Sequence, residues 1–181
     1  MPQLARRLFV LPPDLEGAAR SWLEHGERTP RAARFASSVV LLRDSPTGLE
    51  TWLGYRPGSS PLGVLAFPGG SLEASDDDAV GWLGPSPQHW AEQMGTADVG
   101  LARRHVVGAV RELFEETGIL LAGPDLSTTV EATSSAEWMR ARVAVAEQEK
   151  SFIDVLAKRG LSVRTDLLKP LVNWLSPDFA H

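Results

Sequence analysis

The sequence predicts an α/β protein of the α+β kind, in which helices pack against a sheet as an α/β sandwich. The first half of the chain alternates short β-rich runs with turn residues, whereas amphipathic helical spacing dominates the second half. With 181 residues, 43% of them hydrophobic, the chain is long enough to bury one core. We therefore expect one domain, residues 34–181, preceded by a helical extension, residues 1–33.

The extension contains one predicted helix. Pro12 and Pro13 favour a first helical turn, apolar residues follow at helical spacing, and Gly26 ends the pattern. A basic, proline-containing linker, residues 28–34, then leads into the domain.

The domain opens with three predicted strands. Residues 35–42 and 49–55 are rich in β-forming residues, and the Asp-Ser-Pro-Thr-Gly turn between them is typical of a hairpin. A third apolar run, residues 63–67, leads into a Pro-Gly-Gly turn at Gly69 and Gly70. Glycines at such a turn let the backbone approach a ligand closely and offer it carbonyl oxygens.

The next strong pattern is a helix that ends at Gly118. Its core-facing stripe recurs at steps of three and four residues and comprises Val106, Val110, Leu113, Phe114 and Thr117. Gly118 lies where a left-handed C-cap is expected, and residues 119–121 then read as a short buried strand.

Three carboxylates share one face of this helix. Glu112, Glu115 and Glu116 are spaced i, i+3 and i+4, and like charges at such spacing repel by roughly 0.2–0.5 kcal/mol per pair. A hard divalent cation, which takes oxygen ligands, would relieve this repulsion. Arg111, four residues before Glu115, is spaced to pair with a carboxylate. The alternative interpretation is a solvated helix face that is simply acidic.

The Gly-Gly turn and the helical sequence Arg-Glu-Leu-Phe-Glu-Glu-Thr-Gly together resemble the Nudix box of the Nudix hydrolases. Gly70 matches the opening glycine, and the residues that match the second half are Arg111, Glu112, Leu113, Glu115, Glu116, Gly118 and Ile119. The chain departs from the family pattern at two points. Asp76 stands where the family has glutamate, and 34 residues separate Asp76 from Arg111, far more than in the usual box.

The longer spacer places an insertion at about residues 77–103. The sequence Gly-Gly-Ser-Leu-Glu-Ala-Ser-Asp, residues 69–76, leads into the insertion, which runs on to Trp82-Leu83-Gly84. In this respect the chain resembles the Nudix branch that includes peroxisomal and mitochondrial coenzyme A diphosphatases and many actinobacterial proteins. Because the insertion leaves and re-enters the fold beside the glutamate helix, we expect it to form a lid or a pocket wall.

The resemblance implies a Nudix-like α/β/α sandwich with a mixed sheet, and a pyrophosphohydrolase that depends on Mg²⁺ or Mn²⁺. The implied substrate is a nucleoside diphosphate linked to another moiety, with coenzyme A or acyl-coenzyme A as the leading candidate. The implied site comprises the metal ligands Glu112, Glu115 and Glu116, a carbonyl oxygen of Gly69 or Gly70, and Arg111, which would orient the carboxylates. Either Glu112 or Glu116 would act as the general base.

The C-terminal segment, residues 135–175, is predicted to be mainly helical. Ser134 or Ser135 would cap a long helix that ends at Gly160. After Leu121 no convincing strand pair is apparent, although the resemblance implies further strands there. We therefore expect a fold that is truncated at its C-terminal side, with an exposed sheet edge and apolar surface that a second copy would cover in a homodimer.

Two alternatives to an active enzyme follow from these observations. A catalytically silent Nudix-like module would use the same pocket only to bind a ligand. Such a module is expected to have lost box carboxylates, and this chain keeps all three. The other alternative is an inactive truncated fragment.

Composition narrows the classes of partner. A net charge of −5 and a pI of about 5.4 disfavour a nucleic-acid polymer, which binds to basic surfaces. The chain has no cysteine, so disulfides and thiolate metal sites are excluded. No apolar stretch approaches the length of a membrane span or of a signal-peptide core. We expect a cytoplasmic protein that acts on a small nucleotide-type molecule.

Overall fold

The computed structural model describes residues 10–26, 34–55, 65–131 and 133–175, and within them it has five α-helices and nine short strands. The helices are α1 (Pro13–His25), α2 (Pro87–Met94), α3 (Val99–Thr117), α4 (Ala136–Ala146) and α5 (Phe152–Ala157). The strands are β1 (Ala36–Ser38), β2 (Leu42–Ser45), β3 (Gly48–Thr51), β4 (Gly54–Tyr55), β5 (Leu65–Ala66), β6 (Gly69–Ser71), β7 (Gly81–Leu83), β8 (Ala122–Gly123) and β9 (Ser162–Arg164). There are also two 3₁₀ turns, Ala74–Asp77 and Thr165–Leu167.

The strands form four small sheets. β1 pairs with β6, β2 with β3 and β4 with β5, each antiparallel, and β9 lies between β7 and β8. The three-stranded sheet is mixed, because β7 runs parallel and β8 antiparallel to β9. The α+β class with a mixed sheet is therefore confirmed, whereas a Nudix-like sandwich stays a prediction. The start of the predicted run 63–67 and most of the linker 28–34 lie outside the described residues.

A hairpin at the predicted turn and the predicted N-terminal helix are both present, but the predicted strands 35–42 and 49–55 are each divided. The first run becomes β1 and the start of β2, and the second becomes β3 and β4. β2 and β3 pair in antiparallel register up to the turn between Ser45 and Gly48, and an Arg43–Glu50 ion pair of 2.7 Å joins them. α1 begins at Pro13, and the residue that caps its C-terminal end is Gly26.

α3 is the central helix of the fold. The side chain of its N-cap, Asp98, accepts a hydrogen bond of 2.8 Å from the Leu101 amide, and Gly118 ends the helix with a left-handed φ of 79°. The predicted C-cap is thereby confirmed. The main core cluster, to which α3, α4 and α5 all contribute, comprises Val107, Val110, Phe114, Leu120, Ala122, Ala141, Val145, Phe152, Ile153, Val155, Leu156 and Val163.

The insertion is built into the body of the protein. It contributes β7 to the three-stranded sheet, and its helix α2 packs on α3 through the buried residues Trp90 and Ala91. Trp90 is only 4% exposed. A segment packed in this way cannot swing as a lid without opening the core. Of the two roles expected for the insertion, a pocket wall is compatible with this packing and a lid is not.

Two predictions for the C-terminal segment are wrong. The long helix from Ser135 to Gly160 is interrupted, because α4 and α5 are separated by a turn in which Gln148 has a positive φ of 56°. Ser135 does cap α4, but Ser151 then caps α5. A strand pair also follows Leu121, since β8 and β9 pair antiparallel. These strands have two and three residues, too few for the alternation that identifies a strand in sequence.

Among the large apolar side chains that are exposed in the described part of the chain, two groups stand out. The first covers strands β2 to β5 and includes Leu42, Leu49, Tyr55 and Leu65, and the second includes Leu171, Val172, Trp174 and Leu175. Among the described helices, none is long and apolar enough to cross a membrane. A homodimer that would cover the apolar regions stays a prediction.

Phe114 offers a test of how α3 is held in the core. Its ring is fully buried and lies 5.9 Å from the Trp138 ring and 6.0 Å from the Phe152 ring, measured between centroids. We expect Phe114→Ala to lower the free energy of unfolding by about 3–5 kcal/mol, because it leaves a cavity where three helices meet. Urea denaturation measures the loss. The control, Met139→Ala at a half-exposed position of α4, should cost less than about 1 kcal/mol. Equal losses would contradict this account of the core.

Candidate functional site

Arg111 lies at the centre of a cluster of carboxylates. Its side chain is 1% exposed, and its guanidinium binds Asp76 with two bonds, Nε to Oδ1 at 2.9 Å and Nη2 to Oδ2 at 3.1 Å. Nη1 lies 3.0 Å from Glu112 Oε1, 2.9 Å from Glu115 Oε1 and 3.4 Å from Glu73 Oε1. Arg111 therefore joins two carboxylates of the helix to two from the segment after the Gly-Gly turn.

Asp76 is fixed as firmly as its partner. It is 1% exposed and lies on the 3₁₀ turn Ala74–Asp77, where it accepts a hydrogen bond of 2.8 Å from the Glu73 amide. Arg111 Nη2 also donates to the Ser71 carbonyl at 2.9 Å, which ties the guanidinium to β6. In the sequence Asp76 was noted only as a departure from the family glutamate. The structure shows that the shorter side chain still reaches Arg111.

The strand β6 passes directly beside Glu112. A Cβ atom added to Gly70 would lie 2.5 Å from Glu112 Oε1, so any larger residue would have to displace the Glu112 carboxylate. Just outside β1 and β6, the Val39 amide donates to the Pro68 carbonyl and the Leu72 amide donates to the Phe35 carbonyl. The alternation of an antiparallel ladder then directs the Gly70 carbonyl to β1 and the Gly69 carbonyl away from β1. Of the two glycines, Gly69 is therefore the one with a carbonyl free to bind a ligand.

The cluster carries more negative charge than Arg111 neutralises. Four carboxylates and one guanidinium, all ionised, have a formal charge of −3. Burial raises the pKa of Glu112 from 4.5 to about 7 against the opposing effect of Arg111, and Glu115 and Glu116 add to the rise. Burial also raises the pKa of Glu115. The hydrogen bonds from Arg111 to Asp76 and Glu115 outweigh the effect of burial and raise the pKa of Arg111 above its ordinary value.

Glu116 differs from the other two glutamates of the helix. It is exposed, and its side chain takes no part in the Arg111 network, although its charge raises the pKa of Glu112. Its backbone carbonyl accepts a hydrogen bond of 2.8 Å from Arg142. Of the site residues expected from the sequence, Arg111, Glu112, Glu115 and Gly70 are brought together, and Glu116 lies at the solvent side.

The chemistry of these donors fits a hard divalent cation, because every candidate is a carboxylate or a carbonyl oxygen. Arg111 uses one oxygen of Glu112 and one of Glu115, and the second oxygen of each stays available. Within the described part of the chain, no three or more His, Asp or Glu side chains are arranged as a metal-binding group. A cation held by Glu112, Glu115 and Glu116 would thus require Glu116 to turn inward.

Two contributors to the site were missed in the sequence. Arg142, on α4, contacts the end of α3, and Gln148, in the turn after α4, contacts the carboxylate cluster. No motif pointed to them, because Arg142 acts through two hydrogen bonds and Gln148 through one, each across a long sequence separation.

Comparisons with known proteins do not assign the chain to a family. No family model, no curated protein and no solved structure matches the chain. The Nudix resemblance therefore depends on the residues that carry it and on their arrangement around Arg111.

The raised pKa of Glu112 predicts a pH dependence of stability. A carboxyl with a raised folded-state pKa contributes stability that is present below its ordinary value of 4.5 and is lost as the pH rises through about 7. For the protein in EDTA, we expect the free energy of unfolding to fall by roughly 2 kcal/mol between about pH 5 and pH 8. Glu112→Gln should remove this part of the fall. If parent and variant keep a constant difference across the range, the pKa of Glu112 is not raised.

Gly70 predicts a second effect on the same carboxylate. Gly70→Ala should push Glu112 off Arg111 and lower the free energy of unfolding by about 1–3 kcal/mol, because a buried charged bond is lost. Thermal and urea denaturation measure the loss. Gly17→Ala is the control, since that glycine lies in α1 with no atom near the added methyl, and it should be stabilising by about 0.5–1 kcal/mol. A neutral Gly70→Ala would disprove the close approach.

Proposed function

We propose that this protein is a divalent-metal-dependent pyrophosphohydrolase of the Nudix type. The observation that carries the proposal is the Arg111 cluster. Arg111 joins Asp76 and Glu73, from one half of the motif, to Glu112 and Glu115, from the other half, across 34 intervening residues. A solvated acidic helix face would need neither the buried guanidinium nor the glycine that fits against Glu112.

The geometry supports distinct roles for the residues. Glu112, Glu115 and Glu116 would hold Mg²⁺ or Mn²⁺, with the Gly69 carbonyl as a further oxygen ligand. A diphosphate resists hydrolysis because its oxygens repel an incoming nucleophile. The chemistry that a divalent cation supplies when bound is neutralisation of that charge and a lowered pKa for the attacking water.

The protein's own groups orient the carboxylates and accept the proton. Arg111 holds Glu112 and Glu115 in fixed rotamers, as a residue behind the ligands does in metal sites. Of the two glutamates considered as general base, Glu112 is the one that lies inside the cluster, and burial raises its pKa to about 7 in the protein without metal. Glu112 is therefore our candidate for the base.

The substrate class is proposed from the resemblance of the insertion. A nucleoside diphosphate linked to another moiety fits the reaction, and coenzyme A or acyl-coenzyme A is the leading candidate. We also propose that the enzyme is cytoplasmic and that it forms a homodimer.

A catalytically silent ligand-binding module is the second candidate. One observation favours it: Arg111 fills the centre of the cluster, and Glu116 stays outside at the solvent side. In such a module the pocket would bind a nucleotide without turnover.

A substrate panel with matched variants tests the two candidates. The full chain is incubated with coenzyme A, ADP-ribose, NADH and diadenosine polyphosphates in Mg²⁺ or Mn²⁺, and phosphorus NMR or chromatography follows the products. We expect one of these substrates to be hydrolysed. Glu115→Gln and Glu116→Gln should each lower the rate by about 100-fold or more while melting near or above the parent, because clustered like charges are removed.

Glu92→Gln is the control, since Glu92 is an exposed acid on α2 outside the cluster. It should keep the parent rate. Binding of a panel member without turnover would favour the silent module. Full activity of both glutamine variants would disprove the proposed ligands.

A further inference from the structure

Helix α4 and the turn that follows it reach the carboxylate cluster from outside the motif. We propose that Arg142 and Gln148 are positioning residues for the carboxylate cluster: Arg142 fixes the turn that carries the proposed ligands Glu115 and Glu116, and Gln148 fixes Glu73, which contacts Arg111. This inference rests on the proposed function, since it assigns the residues that set the geometry of the same site. Neither residue touches the reacting atoms.

Arg142 binds the backbone of two proposed ligands. Its Nε donates to the Glu115 carbonyl at 2.7 Å, and its Nη2 donates to the Glu116 carbonyl at 2.8 Å. These carbonyls belong to the last turn of α3, where helical carbonyls have no partner within the helix. A planar guanidinium that holds both of them sets the direction of the two Cα–Cβ bonds. It therefore determines where the Glu115 and Glu116 side chains begin.

The end of α3 is held at a second point by Thr133. Its hydroxyl donates to the Gly118 carbonyl, two residues after the second of the carbonyls that Arg142 binds. Arg142 also lies beside Gly118, where an added Cβ would be 3.4 Å from Arg142 Nη1. The exposed Glu116 side chain is therefore attached to a well-anchored backbone.

Gln148 provides an independent observation. Its Nε2 donates to Glu73 Oε1 at 2.9 Å, and Glu73 Oε1 lies 3.4 Å from Arg111 Nη1. Among the described residues, Gln148 is the only residue other than glycine with a positive φ, at 56°. This residue follows the C-cap of α4, where the Glu149 amide bonds the Ala144 carbonyl and a left-handed residue is common, although glutamine is less suited to it than glycine. Here the left-handed backbone directs an amide to the cluster.

The two contacts act on carboxylates that come from different parts of the chain and meet at Arg111 Nη1. Arg142 holds the helical carboxylates, and Gln148 holds the carboxylate that comes from the segment after the Gly-Gly turn. A cation that binds between carboxylates needs them at a fixed separation. α4 thus links the two halves of the motif through a path separate from the Arg111–Asp76 ion pair.

Measurements of metal affinity and of thermal stability together distinguish a positioning role from a purely structural role. Mn²⁺ affinity is measured by calorimetry, melting temperature by thermal denaturation, and kcat and KM on the best substrate of the panel. Gln148→Gly places glycine at the left-handed position and removes the amide, so we expect the melting temperature to rise by roughly 2 °C while Mn²⁺ binding weakens about fivefold. A residue with only a structural role would not change the two quantities in opposite senses.

Arg142 variants give the second arm of the test. Arg142→Met should weaken Mn²⁺ binding by about tenfold and lower kcat more than it raises KM, since the ligands are displaced. Arg142→Lys, which keeps one donor, should recover part of the affinity. The matched control is Arg159→Met. Arg159 bonds Glu137 at 2.7 Å and lies 4.4 Å over the Trp138 ring, away from α3. It should lower the melting temperature but leave the Mn²⁺ affinity within about twofold of the parent.

The outcomes distinguish this inference from the proposed function. If the parent binds Mn²⁺ and hydrolyses a substrate, but Gln148→Gly and Arg142→Met bind Mn²⁺ as tightly as Arg159→Met, the positioning role is overturned and the function stands. If the parent binds no Mn²⁺, both are overturned. Weaker binding in the two variants, with the control unchanged, supports the positioning role.

Discussion

The structure around the candidate site depends on one constraint, which is that the buried charge of Arg111 must be paired. A guanidinium that is 1% exposed loses its hydration, and removing a partner from such a charge typically costs about 3–5 kcal/mol. Asp76 supplies two bonds, and the Ser71 carbonyl, Glu112 and Glu115 supply others. Each partner comes from an element whose position is thereby restricted. α3, β6 and the 3₁₀ turn Ala74–Asp77 are therefore held together, because each supplies a partner to the buried guanidinium of Arg111.

The pairing of Arg111 leaves an excess of negative charge in the cluster, and this excess determines the chemistry of the site. Four carboxylates exceed what one guanidinium can neutralise, and burial adds to the cost of ionising Glu112 and Glu115. Stability would be better served by fewer acids at this point. Excess like charge kept in a partly buried cluster is typical of a binding or catalytic site, where local rules of stability are broken. A proton or a divalent cation would relieve the excess, so the proposed metal site would respond to both pH and metal.

The remaining elements supply rigidity from several directions. α2 of the insertion packs along α3, and α4 binds the last turn of α3 through Arg142. The insertion thus separates the two halves of the motif in sequence. In the structure its buried Trp90 packs it against α3. A site built on a helix with contacts on several sides is more precise than one built on loops.

The sequence by itself determined the local features: the C-cap at Gly118, the buried stripe of α3, the β2–β3 hairpin and the glutamates on one helix face. These follow from spacing and from single-residue preferences, which act within a few positions. Only the tertiary structure decided that Asp76 completes the Arg111 cluster, that Glu116 stays outside it, that α4 and α5 are separate, and that β7 pairs with β9. These features depend on contacts between residues far apart in the chain, whose energies no local pattern records. Gln148 combines both levels, because its left-handed φ belongs to the local hydrogen bonds that end α4, whereas only the tertiary structure brings its amide to Glu73.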